Sequence, residues 1–289
     1  MTKKNVLLLT LVHPDFLPPV YATAQVLRDE GYHVHILTFD SFVPAEFELG
    51  GGIEVETMGK HHDATVTQRL RLRENFKKRA AELNNADTVA VISFCPFSFM
   101  CGLGIKKDKP LAYIALEVAD FIKENFWHSP LSNFRNLRAL NNVYRADFIA
   151  TPSVQRSAWL AGRCHLGVMP YTILNTSYHP KQPPESSFEL FRKQLPSSFI
   201  GKKVILYTGA VNEHMCTREL VEAFDMVNDP DSVLLVTGVK DNEYGVAIKE
   251  FVTQSKVRER VKLFPYITRK EMLALQANAD IGVYLSKED

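Results

Sequence analysis

The sequence has no excess of charge of either sign, since 34 Lys and Arg residues nearly cancel 33 Asp and Glu residues. Net charge therefore gives no support to a nucleic-acid partner, and none is expected. The sequence also lacks any apolar run of the roughly 20 residues that a membrane-spanning helix needs. Its start, MTKKNVLLLTLVHPD, has too short an apolar core for a signal peptide, so we expect a cytoplasmic protein.

Cysteine is scarce, and its spacing fits no metal-binding pattern. The four cysteines stand at positions 95, 101, 164 and 216, without a C-x-x-C pair or a nearby series of histidines. This spacing predicts reduced, mostly buried thiols and argues against a zinc site. Glycine-rich phosphate-binding motifs are missing too. No G-x-G-x-x-G follows a predicted strand and no Walker A motif occurs, which counts against NAD and ATP as ligands.

Short apolar runs do alternate with segments of helical period along the whole chain. Several runs are continuously apolar, which is typical of strands buried on both faces of a parallel sheet. The alternation predicts an α/β fold with right-handed crossovers. The predicted strands are 5–12, 33–39, 53–58, 88–94, 111–117 and 147–153 in the first part, and 203–210, 232–238, 261–266 and 281–286 in the second.

A composition break at 178–187, YHPKQPPESS, divides the chain. We predict a Rossmann-like domain over 1–178, a linker over 179–200 and a second Rossmann-like domain over 201–289, with the two domains facing a cleft. Two capping boxes are predicted, Ser186 with Glu189 and Thr268 with Glu271. The second domain has four predicted strands where such a domain usually has about five or six, so we expect it to be incomplete.

The stretch VILYTGAVNEHMCTRELVEAF (204–224) predicts a strand, a turn and a helix. Gly209 at the strand end would let a ligand approach the backbone, and Thr217 would cap the helix, whose N-terminus favours a diphosphate. The alternative is that Gly209 only makes a tight turn, because a single glycine is weak evidence of a site.

Longer segments of the second half resemble the donor domain of the retaining GT-B glycosyltransferases of family 4, also called group 1. They are ILYTGAV, ELVEAF, LLVTG and RVKLFPYITRKEMLALQANADIGVYLS. In the first half, KPLAYIALEVAD resembles the family's Y-D-x-H-E-L segment, with Leu116 in place of the histidine. RADFIATPSVQRSAWL resembles the strand and helix that precede the crossover.

The resemblance implies a metal-independent transfer, without cofactor, of a sugar from a nucleotide-diphosphate donor to a saccharide or lipid-linked acceptor. The resemblance also favours a cell-surface polysaccharide precursor over a protein as the acceptor. Glu117 and His13 are the predicted catalytic residues, at the carboxyl ends of two strands of the first domain. The predicted donor-binding residues are Gly209, Ala210, Asn212, Thr217, Gly238, Tyr266 and Ile267, and the predicted acceptor-binding residues are Asp15, Phe16 and Phe97.

For some of these residues a structural interpretation stands beside the functional one. His13 is also explained as a loop histidine that bonds locally, and Phe97 as part of a core segment, CPFSFMCG. The basic segment 67–83 is either a solvated helix face or a peripheral contact with the inner face of an anionic membrane.

Two positions depart from the family. Where the family carries an Arg and a Lys that clamp the donor diphosphate, this sequence has Ala210 and Met215. Each such contact is typically worth about 100- to 1000-fold in rate. Two further hypotheses are therefore open: a non-catalytic GT-B-fold partner or inactive fragment, and a nucleotide-sugar epimerase.

Overall fold

The computed structural model describes residues 4–14, 17–40, 51–61, 64–116, 130–175, 195–227 and 229–287. The chain divides into two compact units, Met1–Tyr178 and His179–Asp289, called unit 1 and unit 2 below. No helix in the described part of the chain is both long enough and apolar enough to cross a bilayer.

Unit 1 is built on a seven-stranded parallel sheet with helices between the strands. Its strands are β1 (Asn5–Leu9), β2 (His33–Thr38), β3 (Ile53–Thr57), β4 (Thr88–Ser93), β5 (Leu111–Ile114), β6 (Phe148–Thr151) and β7 (Tyr171–Thr172). Its helices are α1 (Pro18–Asp29), α2 (Val66–Leu83), α3 (Pro96–Ile105), α4 (Pro130–Leu140) and α5 (Val154–Arg163). The strand order is β3-β2-β1-β4-β5-β6-β7, so the direction of winding reverses between β1 and β4.

The sheet of unit 1 carries a core on each face, as the continuously apolar strands predict. Leu7 and Leu9 of β1 pack into one buried cluster with Phe76 of α2. Val6 and Leu8, which alternate with them, pack into a second cluster on the other face. Successive strand residues point to opposite faces, so a strand covered on both sides must be apolar throughout.

Unit 2 is a four-stranded parallel sheet with three described helices. Its strands are β8 (Lys203–Thr208), β9 (Ser232–Thr237), β10 (Val261–Leu263) and β11 (Ile281–Val283), and its helices are α6 (Thr217–Val227), α7 (Glu243–Gln254) and α8 (Arg269–Asn278). The strand order is β10-β9-β8-β11, so the winding reverses between β8 and β11. All six residues of β9 are buried, and its two faces supply two separate core clusters.

Two described helix ends carry the local sequence signals of a helix boundary. The predicted capping box at Thr268 and Glu271 is confirmed at the start of α8. The other predicted box, Ser186 with Glu189, lies outside the described residues. Gly31 follows the end of α1 with φ of +87°, a backbone conformation that glycine adopts without steric cost.

The structure also differs from the sequence-based predictions in places. The two-residue strand β7 and helix α3 were not predicted, because a pair of strand residues has no period and Pro96–Ile105 is apolar on all sides. The stretch SNFRNLRALNNVYRAD (132–147) has a helical pattern throughout, but helix α4 ends at Leu140 and Val143–Arg145 forms a separate short 3₁₀ turn.

Candidate functional site

The turn after β8 brings exposed backbone to the carboxyl edge of the unit 2 sheet. Gly209 and Ala210 are both exposed. Tyr207 is the second-last residue of β8, and its hydroxyl donates a 2.8 Å hydrogen bond to the Ala210 carbonyl oxygen. Burial raises the pKa of this hydroxyl, which keeps it protonated and able to donate. The bond fixes the turn at the point where the winding of the sheet reverses, the usual position of a ligand in such sheets.

Two neighbouring strand ends pack against this turn. Gly238, after β9, has φ of +87°, and a Cβ atom there would lie 2.2 Å from the Gly209 carbonyl oxygen. The Gly238 N–H donates to the Pro265 carbonyl at 3.2 Å, which ties in the loop after β10. Tyr266 in that loop is 41% exposed, and Ile267 packs partly into the core. The loops after β8, β9 and β10 therefore form one continuous edge that includes these predicted donor-binding residues.

A short 3₁₀ turn, Glu213–Met215, separates Gly209 from helix α6. Asn212 caps it, because its side-chain Oδ1 accepts a 3.1 Å hydrogen bond from the Met215 N–H. Cys216 then adopts the left-handed conformation, with φ of +47°. The side-chain oxygen of Asn212, a predicted donor-binding residue, thus already accepts a hydrogen bond from the Met215 backbone.

Thr217 is the first residue of helix α6 rather than its cap, which corrects the sequence-based prediction. The helix begins at Thr217, as expected, but the left-handed Cys216 is the residue that precedes it, and the Leu220 N–H donates to the Cys216 carbonyl oxygen. The Thr217 side chain is fully buried beside the Tyr207 hydroxyl, and the interaction of the two hydroxyl groups partly offsets the effect of burial on the Tyr207 pKa. The unpaired backbone N–H groups of the first turn, rather than the Thr217 side chain, can therefore face a ligand at this helix end.

The electrostatics of the α6 N-terminus depend on two residues that sequence reasoning missed. Glu219, in the first turn, has its pKa lowered first by a hydrogen bond from its own backbone N–H and further by Lys287. The Lys287 Nζ lies 3.4 Å from the Glu219 carboxylate, and the Lys287 N–H donates to the His214 carbonyl at 2.8 Å. A cation from beyond β11 therefore stands at the helix end where Ala210 and Met215 supply none.

Arg218 does not supply that cation, although it is close in sequence. Its Nε lies 3.1 Å from the Glu222 carboxylate one helical turn later. Its guanidinium carbon also lies 4.7 Å above the ring centre of Phe251. These contacts hold Arg218 on the flank between α6 and α7. The sequence showed that the first turn of α6 contains the acidic residue Glu219, but no sequence pattern linked Lys287 to it.

The predicted residues of unit 1 are described only in part. Glu117, Asp15 and Phe16 lie outside the described residues. His13 follows β1, at the reversal between β1 and β4, and is 6% exposed. Its position agrees with a ligand site, while its burial agrees with the local structural role.

Phe97 packs in the unit 1 core. Its ring centre lies 5.5 Å from that of Phe76 and 6.5 Å from that of Phe39, and Arg73 lies 5.4 Å above it. These contacts agree with the core interpretation of its segment.

The cysteines and the acidic residues form no metal centre in the described part of the chain, where no three His, Cys, Asp or Glu side chains converge in metal-binding geometry. All four cysteines are free thiols. Only Cys101 is buried, and burial raises its pKa to about 12, whereas the other three are half-buried. The prediction of mostly buried thiols was therefore too strong.

Comparisons with known proteins place the chain by fold. No protein-family model matches it, and no curated protein matches its sequence. Solved structures do match. HepE of Anabaena, solved with UDP and glucose, has a TM-score of 0.68 at 15% identity, over 98% of this chain and 74% of that one.

Two further structures extend the comparison. A glycosyltransferase of Rickettsia africae gives a TM-score of 0.63 at 14% identity, over 99% of this chain and 74% of that one. A Listeria monocytogenes protein named as a UDP-N-acetylglucosamine 2-epimerase gives 0.60 at 13% identity, over 98% and 74%. The predicted α/β fold of GT-B type, with Rossmann-like units, is confirmed by these matches.

Proposed function

We propose that this protein is a glycosyltransferase that binds a nucleotide-diphosphate sugar at the carboxyl edge of the unit 2 sheet. One observation carries the proposal: the exposed Gly209–Ala210 turn, the α6 N-terminus and the Lys287 ammonium group meet where the sheet reverses its winding. Such a reversal is where open α/β sheets bind their ligands. The fold likeness to HepE, solved with UDP and glucose, supports the same class of ligand.

The donor diphosphate would lie against backbone rather than against an arginine clamp. Gly209 lets the ligand approach closely, and the free N–H groups of the first turn of α6 attract an anion. As the bond to the sugar breaks, negative charge grows on the departing diphosphate. Lys287 and the helix end would stabilise that charge, in place of the cations that Ala210 and Met215 lack. The family resemblance leads us to propose transfer with retention and without a metal ion.

The acceptor side of the proposal rests on unit 1. We propose His13 as a contact to the acceptor or the donor phosphate, and Glu117 as a hydrogen-bond partner of sugar hydroxyls. Both follow strands whose carboxyl ends border the same edge of the sheet. The acceptor is proposed as a saccharide or a lipid-linked saccharide of cell-surface polysaccharide synthesis. The basic segment 67–83 is the proposed peripheral contact with a membrane.

Calorimetric titration with UDP tests the donor site, and two variants should move its affinity in opposite directions. Lys287→Ala removes the cation and should weaken binding about tenfold, as expected for one charge-assisted contact. Glu219→Gln should tighten binding, because it removes a competing anion and frees Lys287. Lys256→Ala, at an exposed lysine in the same unit, is the matched control. A folded protein without saturable UDP binding, or equal effects of Lys287→Ala and Lys256→Ala, would contradict the proposal.

A non-catalytic partner that keeps the fold is the second candidate, and Glu219 favours it. Its carboxylate accepts a bond from its own N–H, the position at which a phosphate would sit. A protein that binds UDP but releases none from UDP-glucose, with or without added acceptors, would fit this candidate.

A nucleotide-sugar epimerase is the third candidate, favoured by the fold likeness to the Listeria protein. Incubation with UDP-N-acetylglucosamine alone separates it from a transferase. An isomeric nucleotide sugar formed without any acceptor would identify an epimerase.

A further inference from the structure

An open groove lies beside helix α2 in unit 1, apart from the proposed donor and acceptor residues and partly within the basic segment 67–83. Its volume is about 500 Å³, and its lining residues are Lys60, Ala64, Gln68, Arg71, Leu72 and Asn75. Lys60 follows strand β3, Ala64 precedes α2, and the other four lie on the first ten residues of α2. The groove thus opens at the carboxyl edge of the unit 1 sheet, the edge at which parallel α/β sheets bind ligands.

Two cations of this groove are unpaired, while most cations of α2 are engaged. Lys60 and Arg71 have no hydrogen-bond or ion-pair partner among the described residues. In contrast, Arg73 Nε contacts the His61 ring, Lys77 pairs with Glu74, and Arg79 pairs with Glu56 and Glu82. Arg69 Nε donates to the Ala64 carbonyl oxygen. Within the described part of the chain, the two groove cations are therefore free, whereas four of the other five cations of α2 are engaged.

The remaining polar groups of the groove are also hydrogen-bond donors. Gln68 uses its side-chain oxygen to accept the Thr65 N–H in the α2 capping box, at 2.8 Å, so its NH₂ group remains available. Asn75 presents a second amide. No carboxylate stands among the lining residues. A groove with two positive charges, two amide donors and no acidic group fits an ionised phosphate, whose oxygens only accept hydrogen bonds.

The apolar part of the lining narrows the ligand further. Ala64 and Leu72 lie beside the cations, and Leu72 also packs against the core under α2. A free inorganic anion makes no favourable contact with an apolar surface, whereas the carbon skeleton of an organic phosphate would pack against Ala64 and Leu72. Gln68, Arg71 and Asn75 recur at helical spacing, so one face of α2 can contact an elongated ligand.

We propose that this groove binds a phosphate group carried by the acceptor of the reaction. That the phosphate belongs to an acceptor rests on the proposed glycosyltransferase function, whereas the binding of a phosphate there does not. Two kinds of acceptor could carry this phosphate group: a soluble sugar phosphate or a lipid-linked saccharide. In either case Lys60 and Arg71 hold the phosphate, and the amides of Gln68 and Asn75 orient it.

Titration of the whole protein with inorganic pyrophosphate, in the presence of excess UDP to fill the proposed donor site, tests the groove. The double variant Lys60→Ala/Arg71→Ala should bind about tenfold or more weakly, because two charged hydrogen bonds are lost. The control Lys107→Ala/Lys256→Ala removes the same charge from two exposed lysines outside the groove and outside the segment 67–83. Equal affinity of wild type and groove variant, or an equal loss in the control, would overturn the proposal.

Flotation with phosphatidylcholine vesicles, with and without phosphatidylglycerol, distinguishes the sources. Binding to the anionic vesicles that the groove variant loses and the control keeps would support a lipid-borne phosphate. Loss of pyrophosphate binding in the groove variant, with no vesicle binding by wild type, would support a soluble phosphate. Vesicle binding lost to the same extent in both variants would indicate general charge attraction and count against the groove.

UDP titration of the groove variant distinguishes failure of the groove proposal from failure of the proposed donor site. The groove variant should keep the UDP affinity of wild type, because its two residues lie in the other unit. Failure of UDP binding with intact pyrophosphate binding would overturn the donor site alone. Intact UDP binding with no effect of the groove variant on pyrophosphate would overturn the groove alone.

Discussion

At the scale of single residues, Glu56 shows how one ion pair ties strand β3 to helix α2. Arg79 Nε lies 2.6 Å from Glu56 Oε1, and its second nitrogen donates to Oε2 at 3.0 Å. This paired contact is the main cause of the lowered pKa of Glu56, with a smaller contribution from His35. A depressed carboxyl pKa stabilises the fold above the unfolded-state pKa of about 4.3, and that stability disappears as the pH falls through the folded-state value.

Glu56→Gln should therefore lower the free energy of unfolding by about 1 kcal/mol near neutral pH. The effect is small because both side chains are about a third exposed and solvent screens the ion pair. Urea unfolding at several pH values would show the difference shrinking as the pH falls below the unfolded-state pKa of about 4.3. Glu82→Gln, which removes a more exposed partner of the same arginine, should cost less. A difference that stays constant from neutral to acid pH would contradict the ion-pair explanation.

Gly238 is a residue whose missing side chain is required by the tertiary structure. Gly238→Ala meets both a positive φ and the carbonyl of Gly209, so it should destabilise the protein by about 2–4 kcal/mol and weaken UDP binding. Gly201→Ala is the matched control, since Gly201 has φ of +85° with open space around it, and should cost only about 1–2 kcal/mol. Similar costs for both variants in urea unfolding would show that φ alone matters.

At the scale of elements, helix α8 depends on its first turn. Thr268 accepts the Glu271 N–H at 3.2 Å, and Glu271 accepts the Thr268 N–H at 2.8 Å, so two otherwise unpaired donors are satisfied. Thr268→Ala should lower the free energy of unfolding by about 1 kcal/mol. Thr253→Ala, within α7, removes only a bond to the carbonyl four residues earlier and should be nearly neutral. An equal effect of the two variants on thermal unfolding would argue against the cap.

At the scale of the whole molecule, the two units have separate cores. The clusters around Leu8 and Leu9 lie in unit 1, and those around Leu234 and Leu235 lie in unit 2. Leu234→Ala should cost about 2–5 kcal/mol, the usual range for a buried leucine. Hydrogen exchange measured by mass spectrometry should then show faster exchange in β8 to β11 with β1 to β6 unchanged. Leu8→Ala should produce the reverse pattern, and joint loss of protection in both units would disprove independent stability.

The sequence by itself determined the class of fold and the order of its elements. Continuous apolar strands, helical periods and capping residues are local patterns, and they act on the chain wherever it lies in space. They predicted every strand of both sheets except β7, the start of α8 at Thr268 and the turn at Gly209. The resemblance in the second half correctly indicated the GT-B type of fold.

Only the tertiary structure decided which residues meet. Lys287 reaches Glu219 because β11 pairs with β8, and strand order depends on packing rather than on any local pattern. Arg218 turns to Phe251, and Thr217 is buried, because α6 packs against its neighbours. The groove at Lys60 and Arg71 likewise forms from a loop and a helix that the fold places side by side. Contacts of this kind join residues that are distant in sequence, so spacing cannot predict them.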